Sequence, residues 1–385
     1  MASFVPPESV PLPMMLILLT TLTVQTVAAT PFPRPTGPFH VGYTQYVFDI
    51  STQDDPFASA NLSLTLLATI YCPTLTRPVP GENTAPYLDP TTAQIWVTNW
   101  QIPNGSLGSL TTWNVHQAPP FEAASNDASQ KPTVIFSPGA GENAIMYNTL
   151  SSKLASQGYT VVALDHAGEV PYLQLPNGAP GIYGIDIKAE WNVTFAEAVY
   201  HIRVADIIAT VKDLFPVYVE STGAPFDTTH YFAVGHSLGG AAAAGAMSLE
   251  PSILGGINFD GTFFGIPDVK KPFLLLGQEA HTPDVPEPTW PWFAGNQTGW
   301  FQWLNVAGSN HQNFADLDDW LDLLDLRNET APLSVGTIWA PRKDCVISML
   351  VETFFNFVMG KQEWIEIPSA AFPEVVYITG GNDAS

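Results

Sequence analysis

The 385-residue chain is 46% hydrophobic and 12% aromatic, enough for a sizeable core in one large or two ordinary domains, and this composition excludes disorder over most of its length. It carries 36 Asp and Glu against 13 Lys and Arg, a net charge of −23, so its field repels phosphate backbones and anionic lipid. Nucleic acid is excluded as a natural partner, whereas a neutral or zwitterionic lipid surface is not.

The chain opens on an apolar stretch, residues 14–24, that is too short and too Thr-rich for a membrane span. A signal peptide over residues 1–29 fits it, with Val27 and Ala29 as the small residues before the cleavage point and a Pro-rich mature start, although the only charge ahead of the apolar stretch is Glu8. Its removal takes away only that charge, so −23 becomes −22 and the acidity belongs to a secreted, extracellular mature chain, residues 30–385, expected as a single domain. Five Asn-x-Ser/Thr sequons, at Asn61, Asn104, Asn192, Asn296 and Asn328, agree with that route as candidate N-glycosylation sites. Cys72 and Cys345 are either one disulfide joining distant parts of the chain or two buried thiols. Neither has metal-ligand spacing, and no cofactor or metal is expected.

Next come "HVGYTQYVFDI" and "LSLTLLATIYCP", whose alternation predicts antiparallel strands; the Pro-, Gly-, Asn- and Thr-rich region to about residue 130 reads as loops and edge hairpins. From Lys131 short β-branched runs alternate with helical patterns, the signature of a parallel sheet with crossover helices. "PTVIFSPGAG" and "YTVVALDH" are strands with a helix at "NTLSSKLASQG" between them. Apolar residues at Phe195, Val199, Ile202, Ala205, Ile208 and Val211 then mark a long helix. "ILGGINFDG", "KPFLLLGQEAH" and "WFQWLNVAGSNH" are three further strands, and the last helix is expected over residues 346–360. Each of these strands ends in Gly, Asp, Glu or His, and chemistry collects at the carboxyl ends of parallel strands because their loops share one side.

"HYFAVGHSLGGAAAAG" sets a strand, Gly235-His236-Ser237-Leu238-Gly239 and an Ala-rich helix in the order a nucleophile elbow requires. The bare Gly-x-Ser-x-Gly pattern is weak; its context raises Ser237 from a turn residue to a candidate nucleophile. A serine hydroxyl needs a base and an acid, expected later in the chain. His311, directly after the last of these strands, is the candidate base, with His281 its rival in a Pro-rich loop; His230 and His236 are set aside. For the acid, Asp260 ends one strand, while Glu279 and Asp284 follow the next, and either place can reach the same imidazole.

"GHSLGG", "GGINFDG" and "AGSNHQNFADL" together resemble the secreted, calcium-independent platelet-activating factor acetylhydrolases, a phospholipase A2 family among the α/β-hydrolases. "VIFSPGAG", "LASQGYTVVALDH" and "HIRVADIIATVKDL" are also similar, so the likeness spans about residues 130–360, the expected catalytic core. It implies an α/β-hydrolase fold, with a mostly parallel sheet flanked by helices and antiparallel strands at its N-terminal side. It implies Ser237 as nucleophile, Asp260 as acid, His311 as general base, and the backbone N–H groups of Leu238 and Ala140 as the oxyanion hole. Two departures touch the acyl pocket: Pro138 stands where the family usually has a His, and Ala140 replaces a larger apolar residue.

The function so implied is a secreted serine ester hydrolase acting on short or oxidised sn-2 acyl groups of phospholipids through an acyl-enzyme. A cutinase-like or general lipase-like carboxylesterase is the nearest alternative, and a non-catalytic binding protein on the hydrolase fold is the alternative from another class. The Trp-rich stretch "TWPWFAGNQTGWFQWL" reads either as an interfacial lipid patch or as pocket and core, and Trp96 and Trp100 share that ambiguity. With an unshifted base, activity is expected to fall on acidification near about pH 6.5.

Overall fold

Alternating apolar residues and antiparallel pairing shape the first part of the chain, in a computed structural model that describes residues 1, 29–50, 65–121, 131–166, 168–285, 287–328 and 335–381. Strands β1 (Thr30–Pro31), β2 (His40–Asp49), β3 (Thr65–Thr74), β4 (Thr84–Pro86) and β5 (Leu110–His116) enclose one helix, α1 (Pro90–Asn99). The Pro/Gly-rich region thus holds a helix where loops and hairpins are expected. Asp89 starts it by accepting from the Thr91 and Thr92 N–H groups, with Pro90 at the first helical position.

The βα pattern follows as read. It runs β6 (Thr133–Ser137), α2 (Asn148–Ser156), β7 (Val161–His166), a small ribbon of β8 (Tyr172–Leu173) and β9 (Ile182–Tyr183), α3 (Ile187–Glu190), α4 (Val193–Ala209) and α5 (Phe215–Thr222). After these come β10 (Tyr231–His236), α6 (Leu238–Leu249), β11 (Ile253–Phe259), β12 (Phe273–Gln278), α7 (Thr289–Asn296), β13 (Phe301–Val306), α8 (Leu317–Leu323), α9 (Ala340–Val358) and β14 (Val375–Gly381). The main sheet runs β1-β5-β2-β3-β7-β6-β10-β11-β12-β13-β14, with β4 on β5. It is parallel from β7 to β13 and antiparallel at β2/β3, β3/β7, β4/β5 and β13/β14.

One apolar cluster holds α1, α2, α8 and α9 against one face of the sheet, and a second holds α4 to α7 against the other. On α9, Val346, Leu350, Phe354 and Phe355 are fully buried. Each such side chain contributes about 1.5–3 kcal/mol. α9 begins six residues before the expected start at 346, with Pro341 early in its first turn. β14 is not among the expected elements although residues 375–379 are a β-favouring run; Val376 and Tyr377 face solvent, and the strand is held by its antiparallel ladder to β13.

On α4 the buried face differs from the apolar stripe, because Ala205 is exposed while Arg203 and Asp206 are buried. Asp206 meets His166 Nδ1 at 2.7 Å, and the partners of Arg203 are described below. The disulfide is not formed. Cys72 packs in the α4–α6 cluster, Cys345 is exposed on α9, and the sheet lies between them. Among the described residues no helix is long and apolar enough to cross a membrane. The expected signal peptide, beyond its ends, and Asn61 lie outside the described residues. Asn104, Asn192, Asn296 and Asn328 are all exposed.

Candidate active site

The parallel order reverses direction of growth at β6, with β7 added on one side and β10 on the other, so the loops after β6 and β10 face each other across a switch point. Ser237 sits in that gap with φ 54° and ψ −124°, a conformation an L-residue adopts only when its surroundings enforce it. The enforcement is steric: a Cβ at Gly239 would lie 2.0 Å from the Ser137 carbonyl oxygen, and one at Gly235 would lie 2.2 Å from the Gly239 backbone. Only glycine lets β10 and α6 close around the turn. The Ser237 hydroxyl does not cap α6, so it projects from the elbow.

Asp260, at the end of β11, also has a positive φ of 53°. Asn258 ties that turn, accepting from the Gly261 N–H and donating to its carbonyl at 2.8 Å each, which leaves the Asp260 carboxylate facing the ends of β12 and β13. Four donors meet it. The Gln278 N–H and the His281 Nδ1–H reach Oδ1 at 3.0 and 2.7 Å, while the Gln278 side-chain amide and the His311 Nδ1–H reach Oδ2 at 2.9 and 2.6 Å. Burial alone would raise this carboxyl, but the hydrogen bonds and charges of His281 and His311 hold it well below the usual range.

Both rival histidines therefore bind the same acid, and their other nitrogens separate them. His311 is one-third exposed, with its ring against that of His236, next to Ser237 in the chain, at 4.5 Å. Its Nε2 is the nitrogen free to serve a hydroxyl. His281 is buried, not the surface residue its Pro-rich loop suggests; its Nε2 faces Glu287 at 3.3 Å and its ring lies tilted by 31° against that of Trp290, centroids 3.9 Å apart. The geometry joins His311 to Asp260 and leaves the other His311 nitrogen unpaired among the described residues, whereas both nitrogens of His281 face carboxylates. Glu279 is bound elsewhere, accepting from the Gly308 N–H at 2.7 Å, and Asp284 is exposed.

Burial would lower the His311 pKa, but the hydrogen bond and charge of Asp260, followed by the charge of Glu142, raise it, against a lowering by His281. The net shift is upward from 6.5. Since the base works neutral, kcat/KM should fall on acidification with a midpoint above pH 6.5, not at it. A pH–rate profile checks this; a limb centred below 6.5 would contradict it.

Among the described residues the N–H groups of Leu238 and Ala140 make no hydrogen bond, as oxyanion donors must before substrate arrives. The loop carrying Ala140 is held by residues the sequence did not single out. Arg203 of α4 donates to the Pro138 carbonyl, to Gly139 O at 3.1 Å and to Glu169 Oε2 at 2.5 Å, all buried. Tyr147 accepts from the Gly139 N–H at 2.8 Å and contacts His236 Nδ1 at 2.7 Å and the Glu142 carboxylate. Burial would raise the Glu142 carboxyl, but His236, Tyr147 and Gln312 bring it down to about 2. One signal was available in the sequence: Arg203 is a lone cation inside an apolar helical run, and such a charge is buried only when paired.

The cleft beside this loop has a volume of about 500 Å³ and is lined by Trp96, Trp100, Ala140, Glu142, Ile187 and Gln312, among others. Trp96 is buried and donates to Asn143 Oδ1 at 3.0 Å, which makes it a fixed cleft wall. In the other Trp-rich stretch Trp290, Phe293 and Trp303 are core and Trp292 is exposed. Among the described residues no group of three or more His, Cys, Asp and Glu is placed to hold a metal.

A serine on a strained strand-to-helix elbow, an Asp–His pair from the ends of β11 and β13 and two free N–H groups define the α/β class of serine hydrolases. Residues 134–383 match the alpha/beta hydrolase family, and residues 25–171 match platelet-activating factor acetylhydrolase, isoform II. The chain belongs to the alpha/beta hydrolase family. It is 28% identical over 270 residues to a protein of Arthroderma benhamiae described as "Probable 1-alkyl-2-acetylglycerophosphocholine esterase", covering 64% of this chain and 66% of that relative. A solved ferulic acid esterase from Streptomyces cinnamoneus superposes with a TM-score of 0.74, covering 91% of this chain and all of that one, at 26% identity.

Proposed function

We propose that the protein is a secreted, calcium-independent carboxylic ester hydrolase that removes short or oxidised sn-2 acyl groups from phospholipids resembling platelet-activating factor. The observation that carries the chemistry is the Asp260–His311 hydrogen bond of 2.6 Å beside a serine with φ 54°. In the reaction His311 Nε2 takes the Ser237 proton as Oγ attacks the ester carbonyl, and Asp260 fixes the imidazole's tautomer. The Leu238 and Ala140 N–H groups stabilise the tetrahedral oxyanion. His311 then returns the proton to the leaving alcohol, and water repeats the sequence in reverse on the acyl-enzyme. The substrate class rests on the named relative and on the isoform II match. Secretion and glycosylation rest on the N-terminal apolar stretch and on four exposed sequons.

A second reading, an esterase of aromatic or polymeric esters, is favoured by the ferulic acid esterase neighbour and by the Trp96 and Trp100 walls of the cleft. Hydrolysis of a short-chain sn-2 phospholipid, a feruloyl ester and a polyester by the purified secreted protein separates the two. Turnover of the phospholipid at the highest kcat/KM is the expected result; none at all would leave the second reading standing.

A further inference from the structure

Asp260 carries one negative charge and touches two histidines, of which the triad uses one. His281 Nδ1 meets Asp260 at 2.7 Å and its Nε2 meets Glu287 at 3.3 Å, so each nitrogen faces a carboxylate, an acceptor only. A neutral imidazole would point a lone pair at one of them; the cation donates to both. The site also suits a cation, since the ring lies 3.9 Å over Trp290 with its edge toward Trp303 at 5.8 Å, and Asn305 of β13 donates to the His281 carbonyl.

Resting on the triad reading above, we propose that His281 is a positioning residue, held as an imidazolium between Asp260 and Glu287. There it shares the charge of Asp260 and keeps His311 neutral to lower pH than a lone Asp–His pair would. The charged and titratable groups facing His281 are Asp260 from the turn after β11 and Glu287 from the segment before α7. Those facing His311 are Asp260, Glu142 from the loop after β6, His236 from β10, and His281. Glu142 and Asp260 favour the protonated base, and His281 is the cation that opposes them. Burial would push His281 down, but its hydrogen bonds to Asp260 and Glu287 bring it up to about 9, so the cation persists across neutral pH.

The test separates charge from hydrogen bonding. His281→Asn keeps a donor near the position of Nδ1 and removes the charge. Histidine Cε1 titrations by NMR in a Ser237→Ala background, which need no turnover, should place the His281 midpoint above 7. In the His281→Asn protein the His311 midpoint should rise by on the order of one pH unit. In the active enzyme the acid limb of kcat/KM should move up by the same amount. A His281 midpoint at or below 6.5, or an unmoved or lowered His311 midpoint, overturns the proposal. Should His281→Asn fail to fold, Glu287→Gln serves: the His281 midpoint must drop, and an unchanged one overturns it. Wild type that fails to react with a fluorophosphonate would sink the triad reading; a labelled enzyme with an unmoved His311 sinks this inference alone.

Discussion

Replacing Ser237 by Ala is expected to lower ester turnover on the order of 10⁶-fold and to abolish fluorophosphonate labelling, while the melting temperature stays within a few degrees of wild type. The separation of function from stability follows from the elbow. The hydroxyl does not cap α6, so its removal leaves no backbone group unsatisfied. The unusual φ of 54° is imposed by Gly235 and Gly239 packing against their neighbours and persists with Ala at the turn. Residual turnover would come from the Leu238 and Ala140 donors acting on a bound ester. Retained labelling, or a variant that melts far below wild type, would mean that Ser237 is not the nucleophile or that its hydroxyl holds the turn.

The parallel half of the sheet was legible because its strands are buried on both faces and read as continuous apolar runs, from "TVIFS" to "FQWLNV". α1 and β14 were not. Propensity and pattern are weak in α1, where Asp89 and Pro90 start a helix that the surrounding Pro and Thr disguise, and β14 is stabilised by a ladder to a distant strand. Among site residues, Ser237, Asp260 and His311 fall at strand ends, where the topology makes sequence position nearly equivalent to spatial position. Arg203 reaches the oxyanion loop from α4, a separation of 64 residues that no spacing encodes, whereas Glu142 and Tyr147 lie close to Gly139 in the chain but form no motif. His281 illustrates the limit most clearly, since a Pro-rich loop suggests exposure while a Trp290 ring and two carboxylates bury it. The cysteine pair fails for a similar reason: count and compartment allow a bond that the intervening sheet forbids.

Asp260→Asn should cost about 10⁴-fold in kcat, against less than about tenfold for Glu279→Gln, and the opposite order would reassign the acid. Glu279 accepts from the Gly308 N–H, a contact Gln preserves through its own carbonyl. At Asp260 the amide cannot satisfy both sides. Oδ1 receives the Gln278 backbone N–H and His281, both obligate donors, so the amide oxygen must take that place. The NH₂ then occupies the position of Oδ2 and faces His311 Nδ1 as well as the Gln278 side chain. Gln278 can turn its own oxygen toward it. His311 can respond only by giving up its Nδ1 proton, which moves the hydrogen to Nε2 and removes the lone pair that must take the proton of Ser237. Here the Gln278 N–H and the cationic His281 both hold the amide in that orientation. Asp260→Asn combined with His281→Phe should therefore regain part of the lost kcat, and a double variant no better than Asp260→Asn alone would show that the orientation is set by the Gln278 N–H by itself.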